Sequence, residues 1–382
     1  MNVNRFTSLC FAAFTVRWIV SRTIENRPIW DRTMFKKLFG KKPEPQVELV
    51  PSGRKFAVAR NKTVLEQALE IGLPYPHDCT VGTCGSCRSR LLSGRVDAIT
   101  PFGYTLSREE LQAGYILACQ AIPESDLRIE VELPDAEDVP VSVGGRIVDI
   151  QDLTHDIRKV TWQLDAPLRF KAGQYMNVRW PAGPGHRSYS FCHAPSPEGS
   201  LRVSAFVRRV PGGAFTDSLF AGEFADTEFT VDGAHGGFWL RPGDGPILLV
   251  GGGSGLSPLM SLLEDAAARN VRRDVVLLFG GRGERDLYCL DEIAGIAARW
   301  DARFQFRPVL SEEQVEGVRH GLVTQEIADA IAELGGAPGL QAYMCGPPPM
   351  IDAAVASLTA QGVALDAIHY DKFTDASTRV AQ

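Results

Sequence analysis

The stretch Cys79-Thr-Val-Gly-Thr-Cys84-Gly-Ser-Cys87 has the spacing C-x4-C-x2-C, and Cys119 follows 32 residues later. This is the spacing of a plant-type [2Fe–2S] site. Two irons need four thiolates, and three of them come from one loop that wraps the cluster. Gly82 and Gly85 let the backbone approach, so that N–H groups can bond to sulfur and tune the reduction potential. Thr83 and Ser86 are small and crowd nothing. Structural zinc ordinarily presents two C-x2-C-like pairs. Here the fourth cysteine is single and falls on a strand predicted over 115–122. The spacing assigns Cys79, Cys84, Cys87 and Cys119 to a [2Fe–2S] cluster.

A small α+β domain forms around this loop. Residues 47–49 and 55–58 read as a hairpin about Pro51-Ser52-Gly53. Thr63-Val-Leu-Glu66 and Ser107-Arg-Glu-Glu110 are capping boxes that open two helices. Further strands are predicted at 88–92 and 127–131. Two linkers punctuate the chain on either side: 40–45, with Gly40 and two prolines, and 133–140, which is acidic and holds two prolines, with Gly144-Gly145 soon after.

Beyond the second linker the pattern changes twice. Six short alternating strands between 146 and 231 predict a small antiparallel barrel. From Pro246 onward, apolar strands at 247–250, 275–279 and 341–344 alternate with helices at 260–268, 291–299, 323–333 and 350–361. That order predicts a parallel α/β sheet. The expected divisions are 1–45, an N-terminal extension; 46–137, the cluster domain; 141–240, the barrel; and 241–382, the α/β domain.

The barrel carries two candidate anion sites. In Arg187-Ser-Tyr-Ser190 the guanidinium can pair with a pyrophosphate, the Tyr189 ring can stack on an isoalloxazine, and Ser190 can reach the flavin edge. In Pro211-Gly-Gly-Ala-Phe-Thr216, glycines open a short helix, so Gly213, Ala214, Phe215 and Thr216 offer backbone N–H groups and a hydroxyl. Two such features in one barrel point to a dinucleotide such as FAD. In the last domain Gly251-Gly-Gly-Ser-Gly-Leu-Ser-Pro258 joins a buried strand to a helix, which suits a phosphate-binding turn through Gly252, Gly253, Ser254 and Gly255. Pro258 stands where the usual pattern has its last glycine, and such turns also use glycine for packing alone. Cys345-Gly-Pro-Pro-Pro-Met350 ends another apolar strand, where ligands of open α/β sheets bind. Cys345 can face a nicotinamide there, or serve as a small buried hydrophobe.

Bulk properties set the frame. The chain has 382 residues and a net charge of −6, which speaks against wholesale nucleic-acid binding. Four of its eight cysteines crowd into 41 residues, unlike a secreted disulfide framework, so a reduced cytoplasm is expected. Residues 9–20 are apolar but short and interrupted by Arg17, so no integral membrane segment is predicted there. A signal peptide is the alternative reading of this run, although no small-residue cleavage pattern follows it. Met34-Phe-Lys-Lys looks like a start, which would leave residues 1–33 upstream of it.

The cysteines, Arg187-Ser-Tyr-Ser190, Gly252-Gly-Ser-Gly-Leu-Ser-Pro258, Cys345-Gly-Pro-Pro-Pro-Met350 and the tail Tyr370-Asp-Lys-Phe373, in this order, resemble one family. It is the ferredoxin–NAD reductases among the ferredoxin-NADP reductase-like flavoproteins, the electron-transfer components of bacterial oxygenases. Arg285-Asp-Leu-Tyr-Cys-Leu-Asp-Glu-Ile293 and Pro308-Val-Leu-Ser-Glu-Glu313 are most similar to the xylene monooxygenase type. The resemblance implies a multi-domain fold: a β-grasp ferredoxin domain, an antiparallel β-barrel for FAD and an α/β domain for NADH. It implies that Arg187, Tyr189 and Ser190 contact FAD and that Gly213 to Thr216 meet its pyrophosphate. Cys345, Gly346 and Pro347 would lie beside the nicotinamide, and Phe373 near the isoalloxazine, so Cys345, Ser190 and Phe373 line the expected hydride path. Ser254, Leu256 and Ser257 depart from the commoner Thr, Ile and Ala, and Asp371 from Glu. Arg282 and Arg285 leave NADPH open on charge alone; the resemblance favours NADH. The implied partner is an oxygenase or hydroxylase component, in aromatic or hydrocarbon degradation, which would draw the chain to a membrane where that partner is membrane-bound. A reductase for another acceptor, such as a deoxysugar dehydrase, has the same architecture, and a redox sensor need not keep every motif.

Overall fold

The computed structural model describes residues 43–77, 79–133, 140–181, 183 and 185–373. The expected start at Met34, and the reading of residues 1–33, lie outside the described residues. Glu44–Gln382 form one compact unit. Among the described residues no helix is long and apolar enough to cross a membrane.

The cluster domain opens with the hairpin β1 (Gln46–Val50) and β2 (Arg54–Ala57). Helix α1 (Val64–Glu70) follows, and both halves of its capping box are made: Thr63 Oγ1 accepts from the Glu66 N–H at 3.1 Å, and Glu66 accepts from the Thr63 N–H at 2.9 Å. Then come β3 (Arg88–Ser93), β4 (Val96–Ala98), α2 (Arg108–Gln112), β5 (Tyr115–Leu117), β6 (Ala121–Pro123) and β7 (Leu127–Glu130). Five strands form a sheet in the order β2-β1-β7-β3-β5, with β1 and β7 parallel and the other pairs antiparallel. Val47, Leu49, Leu127 and Ile129 alternate inward and meet Val64, Leu65 and Ala68 of α1. This is the expected β-grasp.

The single strand predicted over 115–122 is a correction. Residues 118–120 are a turn between β5 and β6, so Cys119 sits on that turn rather than on a strand. Pairing of β5 with β3 stops at Leu117, and β6 leaves the sheet to pair with β4. The Gln120 N–H closes the turn on the Leu117 carbonyl at 2.9 Å.

The second domain contains β8 (Val141–Asp152), β9 (Ile157–Leu168), β10 (Tyr175–Arg179), β11 (Arg187–Ser190), β12 (Ser200–Arg208), α3 (Ala214–Ala221) and β13 (Glu228–His235). Its strands run antiparallel in the order β11-β10-β13-β8-β9-β12. The ends of the sheet meet only at a bridge between Phe191 and Ala205, so the barrel is nearly closed. Strands β8 and β9 have 12 residues each, well beyond the short strands expected. A bulge between Ile147 and Asp149 bends β8 so that one strand serves two sides of the barrel. Exposed Val148 and Ile150 on the outer half obscured its alternation.

The third domain alternates β14 (Ile247–Gly252), α4 (Leu256–Ala268), β15 (Val275–Gly281), α5 (Leu290–Ala298), β16 (Phe304–Leu310), β17 (Arg319–His320), α6 (Ile327–Glu333), β18 (Gln341–Gly346), α7 (Pro348–Ala360) and β19 (Ile368–Lys372). All six strands are parallel, in the order β17-β16-β15-β14-β18-β19. Strands β16 and β19 were not legible as strands. The first carries Arg307 and Pro308, and buried Arg307 is held by Glu326 at 3.1 Å and Glu333 at 2.6 Å. The second is mostly polar because its side chains meet another domain.

Helix α4 joins the second and third domains through one face. The Ser257 hydroxyl donates to the Ser190 carbonyl on β11 at 2.7 Å and accepts from the Phe206 N–H on β12 at 3.2 Å. It fills the gap where the barrel ends splay. One turn on, the Ser261 hydroxyl donates to the His193 carbonyl at 2.6 Å, and Glu264 accepts from the Ala194 N–H at 3.0 Å. Ser257 is buried, so Ser257→Ala leaves two backbone groups without a partner. It is expected to cost about 1–3 kcal/mol, read as a lowered denaturation midpoint with flavin-binding stoichiometry retained at low denaturant.

Candidate functional site

The four predicted cluster cysteines come together as two pairs. Cys79 lies against Cys84, and Cys87 against Cys119. Among the described residues the only three metal-ligand side chains within 4.8 Å of one another are His155, Asp156 and Asp286. The cysteines therefore do not form the compact tetrahedron of a four-thiolate zinc site. Two thiolates per iron, for two irons, is the set that a [2Fe–2S] cluster needs.

The loop backbone faces the sulfurs. The N–H groups of Thr83 and Cys84 each point at Cys79 Sγ at 3.3 Å, and that of Ser86 at Cys84 Sγ at 3.4 Å. The Cys119 N–H reaches Cys87 Sγ at 3.5 Å. The hydrogen bond from the Cys84 thiol, against the cost of burial, leads in holding the Cys79 thiol down at about 4. The Thr83 hydroxyl is buried beside these sulfurs, where it helps to lower the Cys79 thiol and makes no well-formed hydrogen bond to another protein group. An acceptor such as a cluster sulfide fits it. Gly82 has φ +87°, and a Cβ there would lie 2.8 Å from Gln120 Cγ. Only glycine allows the loop to pass the Cys119 turn so closely.

On the barrel, Arg187, Tyr189 and Ser190 lie along β11. The Arg187 guanidinium sits over the Trp180 ring at 5.4 Å and donates to the His186 carbonyl, with further N–H groups available. Burial pushes the Tyr189 phenol up, opposed by Arg187. Gly213 caps α3, which begins at Ala214. Phe215 and Thr216 turn inward. Phe215 packs against Trp180 and Tyr189 with ring centroids 5.0 and 5.4 Å away, and the Thr216 hydroxyl is engaged with the Val210 N–H and carbonyl. The outward donors are the first-turn backbone N–H groups, which with Arg187 suit a pyrophosphate.

In the third domain a cleft of about 300 Å³ opens at the carboxyl ends of the strands. Gly252, Gly253 and Pro347 line it, with Gly281, Arg282 and Arg208. Ser254 and Gly255 lie in the tight turn between β14 and α4. A Cβ on Gly255 would lie 2.1 Å from the Cys345 carbonyl, so this glycine serves close strand–helix packing. Gly346 ends β18 with φ +152°, and Pro347 caps α7. Cys345 is fully buried, and burial holds its thiol well above the ordinary range, so it stays neutral. It shares one apolar core with Cys192, Phe206 and Phe238 of the barrel side, and Phe373 packs against that core. The structure thus brings Cys345, Phe373 and the Ser190–Ser257 contact to the same domain interface.

Three family descriptions match in this order: the 2Fe-2S iron-sulfur cluster binding domain over 47–124, the oxidoreductase FAD-binding domain over 145–239, and the oxidoreductase NAD-binding domain over 249–356. The xylene/toluene monooxygenase electron transfer component of Pseudomonas putida is 40% identical, over 89% of this chain and 97% of its own length. This chain belongs to the reductase components of multicomponent oxygenases. An aromatic O-demethylase reductase subunit from Amycolatopsis is 37% identical over 85% of this chain and 98% of its own. The solved Amycolatopsis cytochrome P450 reductase superposes with a TM-score of 0.65 at 34% identity, covering 87% of this chain and 99% of that one. The reductase is an oxidoreductase with [2Fe–2S], FAD and NAD domains.

Sequence reasoning missed several residues of the reductase cleft. Asp156 reaches in from the β8–β9 turn and Asp286 from the loop after β15. Asp156 is 3.0 Å from Arg208 and 3.8 Å from Arg282, and Asp286 is 3.5 Å from Arg282. No motif marks Asp156; it enters the cleft because the barrel hairpin lies across the nucleotide domain. For the cluster loop, Gly82→Ala is expected to lower iron per chain and bleach the cluster's visible bands while flavin content stays normal, as read by iron assay and absorbance.

Proposed function

We propose that this reductase oxidises NADH and delivers single electrons to an oxygenase or hydroxylase component in aromatic or hydrocarbon degradation. The observation that carries the proposal is the apolar core that Cys345 and Phe373 share with Phe206 of the barrel, whose N–H is bonded to the same Ser257 hydroxyl that holds the Ser190 carbonyl, in a unit that also holds the paired cysteines. Both curated relatives named above serve aromatic substrates by their descriptions.

The bound groups supply the redox chemistry: a hydride donor, a flavin that takes two electrons and gives them singly, and a one-electron cluster. The chain supplies position. Arg187 and the N–H groups after Gly213 would hold the FAD pyrophosphate, with Tyr189 along the flavin. Ser190 is held by Ser257, so its place on the flavin edge depends on the docking of α4. Gly252, Gly253, Ser254 and Gly255 would cradle the nucleotide phosphates, with Gly346 and Pro347 opposite. Cys345 offers a small neutral thiol to the nicotinamide, and Phe373 an apolar wall that excludes water. No side-chain base is needed.

The reading of NADH over NADPH rests on the family resemblance. Arg282 lines the cleft but is engaged by Asp286, and Asp156 beside it is held by Arg208, so neither arginine stands free for a 2′-phosphate. The partner would approach the 79–87 loop, near which Val81 and Tyr104 are exposed. We place the reductase in the cytoplasm, at a membrane only where its oxygenase is.

NADH-driven turnover, reconstituted with oxygenase components of the xylene monooxygenase and aromatic O-demethylase types, tests the reading; NADH oxidation without electron delivery to any of them refutes it. In rapid mixing, Cys345→Ala is expected to slow flavin bleaching by NADH about tenfold and leave the cluster spectrum intact. Unchanged hydride transfer removes Cys345 from the mechanism.

A further inference from the structure

The edge strand β19 touches the cluster domain beside both cysteine pairs. Arg88 directly follows Cys87. Its guanidinium pairs with Glu110, donates to the Ile368 carbonyl at 3.5 Å and lies over the Tyr370 ring at 4.5 Å. The Tyr370 hydroxyl donates to the same Glu110 oxygen, Oε1, at 2.6 Å. Glu110 is almost fully buried, and its other oxygen accepts from the Ser107 N–H at 2.8 Å to complete the capping box of α2. One carboxylate therefore serves its own helix with one oxygen and the other domain with the second.

The second contact lies two residues along β19. Lys372 Nζ donates to the Thr105 carbonyl at 3.0 Å and pairs with Asp352 at 2.8 Å. The Thr105 hydroxyl in turn donates to the Gly82 carbonyl, inside the loop between Cys79 and Cys84. The Lys372 side chain is only 8% exposed while Asp352 stands 56% exposed, so the ion pair is partly screened by solvent and the donation to Thr105 is the buried contact. The next residue, Phe373, packs into the core that holds Cys345, and its N–H is bonded to the Gly346 carbonyl at 2.9 Å. One five-residue strand thus runs from the flavin side of the molecule to both halves of the cluster site.

We propose that β19 is the latch that sets the separation between flavin and cluster, with Arg88, Glu110, Tyr370 and Lys372 as positioning residues for the electron transfer. The side chains of Arg88, Glu110, Tyr370 and Lys372 join β19 to the cluster domain, while the β19 backbone stays paired with β18 beside Cys345 and Gly346. Removing those side-chain contacts, with the β18–β19 pairing kept, therefore acts on transfer from flavin to cluster and not on reduction of the flavin.

The inference rests on the order of electron flow given above, but its first readout needs no electron transfer. The test uses the full-length holoprotein with Glu110→Gln and Lys372→Met combined. Gln can still accept the Ser107 N–H, so the cap survives. Without NADH, hydrogen exchange of segments 79–88, 102–106 and 368–373 is expected to speed up at least about tenfold, while strand 157–168 in the barrel keeps its protection. In rapid mixing with NADH, flavin bleaching keeps its rate and cluster reduction slows about tenfold. Replacing Lys372→Met by Lys372→Arg restores part of that rate, since the donor to Thr105 returns. Unchanged exchange in all three segments overturns the latch. So does equal slowing of flavin and cluster reduction, or faster exchange throughout the barrel, since each marks a general loosening. Tyr370→Phe, which removes one hydroxyl, is the second variant if the double variant does not fold; it is expected to shift exchange at 79–88 in the same direction, and no shift overturns the latch.

Discussion

The Ser257 hydroxyl bonds to both β11 and β12 beside the single Phe191–Ala205 bridge that closes the barrel, and the flavoprotein part of the molecule is organised around it. A six-stranded barrel whose ends meet at a single bridge leaves backbone groups of β11 and β12 without sheet partners. Buried backbone groups must find partners, and here the partner arrives from the first turn of α4 in the next domain. Closing the barrel and docking the nucleotide domain are thus the same event. Ser190 sits on the expected hydride path and is fixed by that contact, so the flavin edge and the nucleotide turn cannot be positioned independently.

A second constraint acts on the cluster. The cysteines expected to hold it come from a loop and from a turn packed against that loop, and the turn exists because β5 stops at Leu117 and β6 pairs elsewhere. Had 115–122 been one strand, Cys119 would have been held at a pleat position set by the sheet. The turn frees it to meet Cys87. Gly82 allows the loop to lie against that turn, and the same loop takes the hydrogen bond from Thr105 that leads to β19. Cluster geometry and domain docking therefore share residues.

Much of this was legible in the sequence. Both capping boxes, the opening hairpin, the glycine turn after β14 and the order of the three domains are local patterns, and local patterns are readable. The misses have physical causes. Strand β16 contains Arg307 and Pro308, which argue against a buried strand until Glu326 and Glu333 are seen to neutralise the arginine. Strand β19 reads as polar because Tyr370 and Lys372 answer groups on another domain. The Thr216 hydroxyl is engaged with Val210, so the group it can still offer an anion is its backbone N–H. Ser257 looked like a mild departure from a commoner alanine and is a central contact.

The sequence by itself determined the cofactor set and the class of chemistry. Thiolate count and spacing, glycines at a strand–helix turn and an Arg beside a Tyr are requirements that the cofactors impose on short segments. Only the tertiary structure decided how those segments serve one another. It paired the cysteines two by two, set carboxylates beside Arg282, and tied β19 to the cluster domain. These contacts join residues far apart in the chain: 67 positions separate Ser190 from Ser257, and 260 separate Glu110 from Tyr370. No local pattern records such a pairing, because each partner is an ordinary residue until burial brings it against the other.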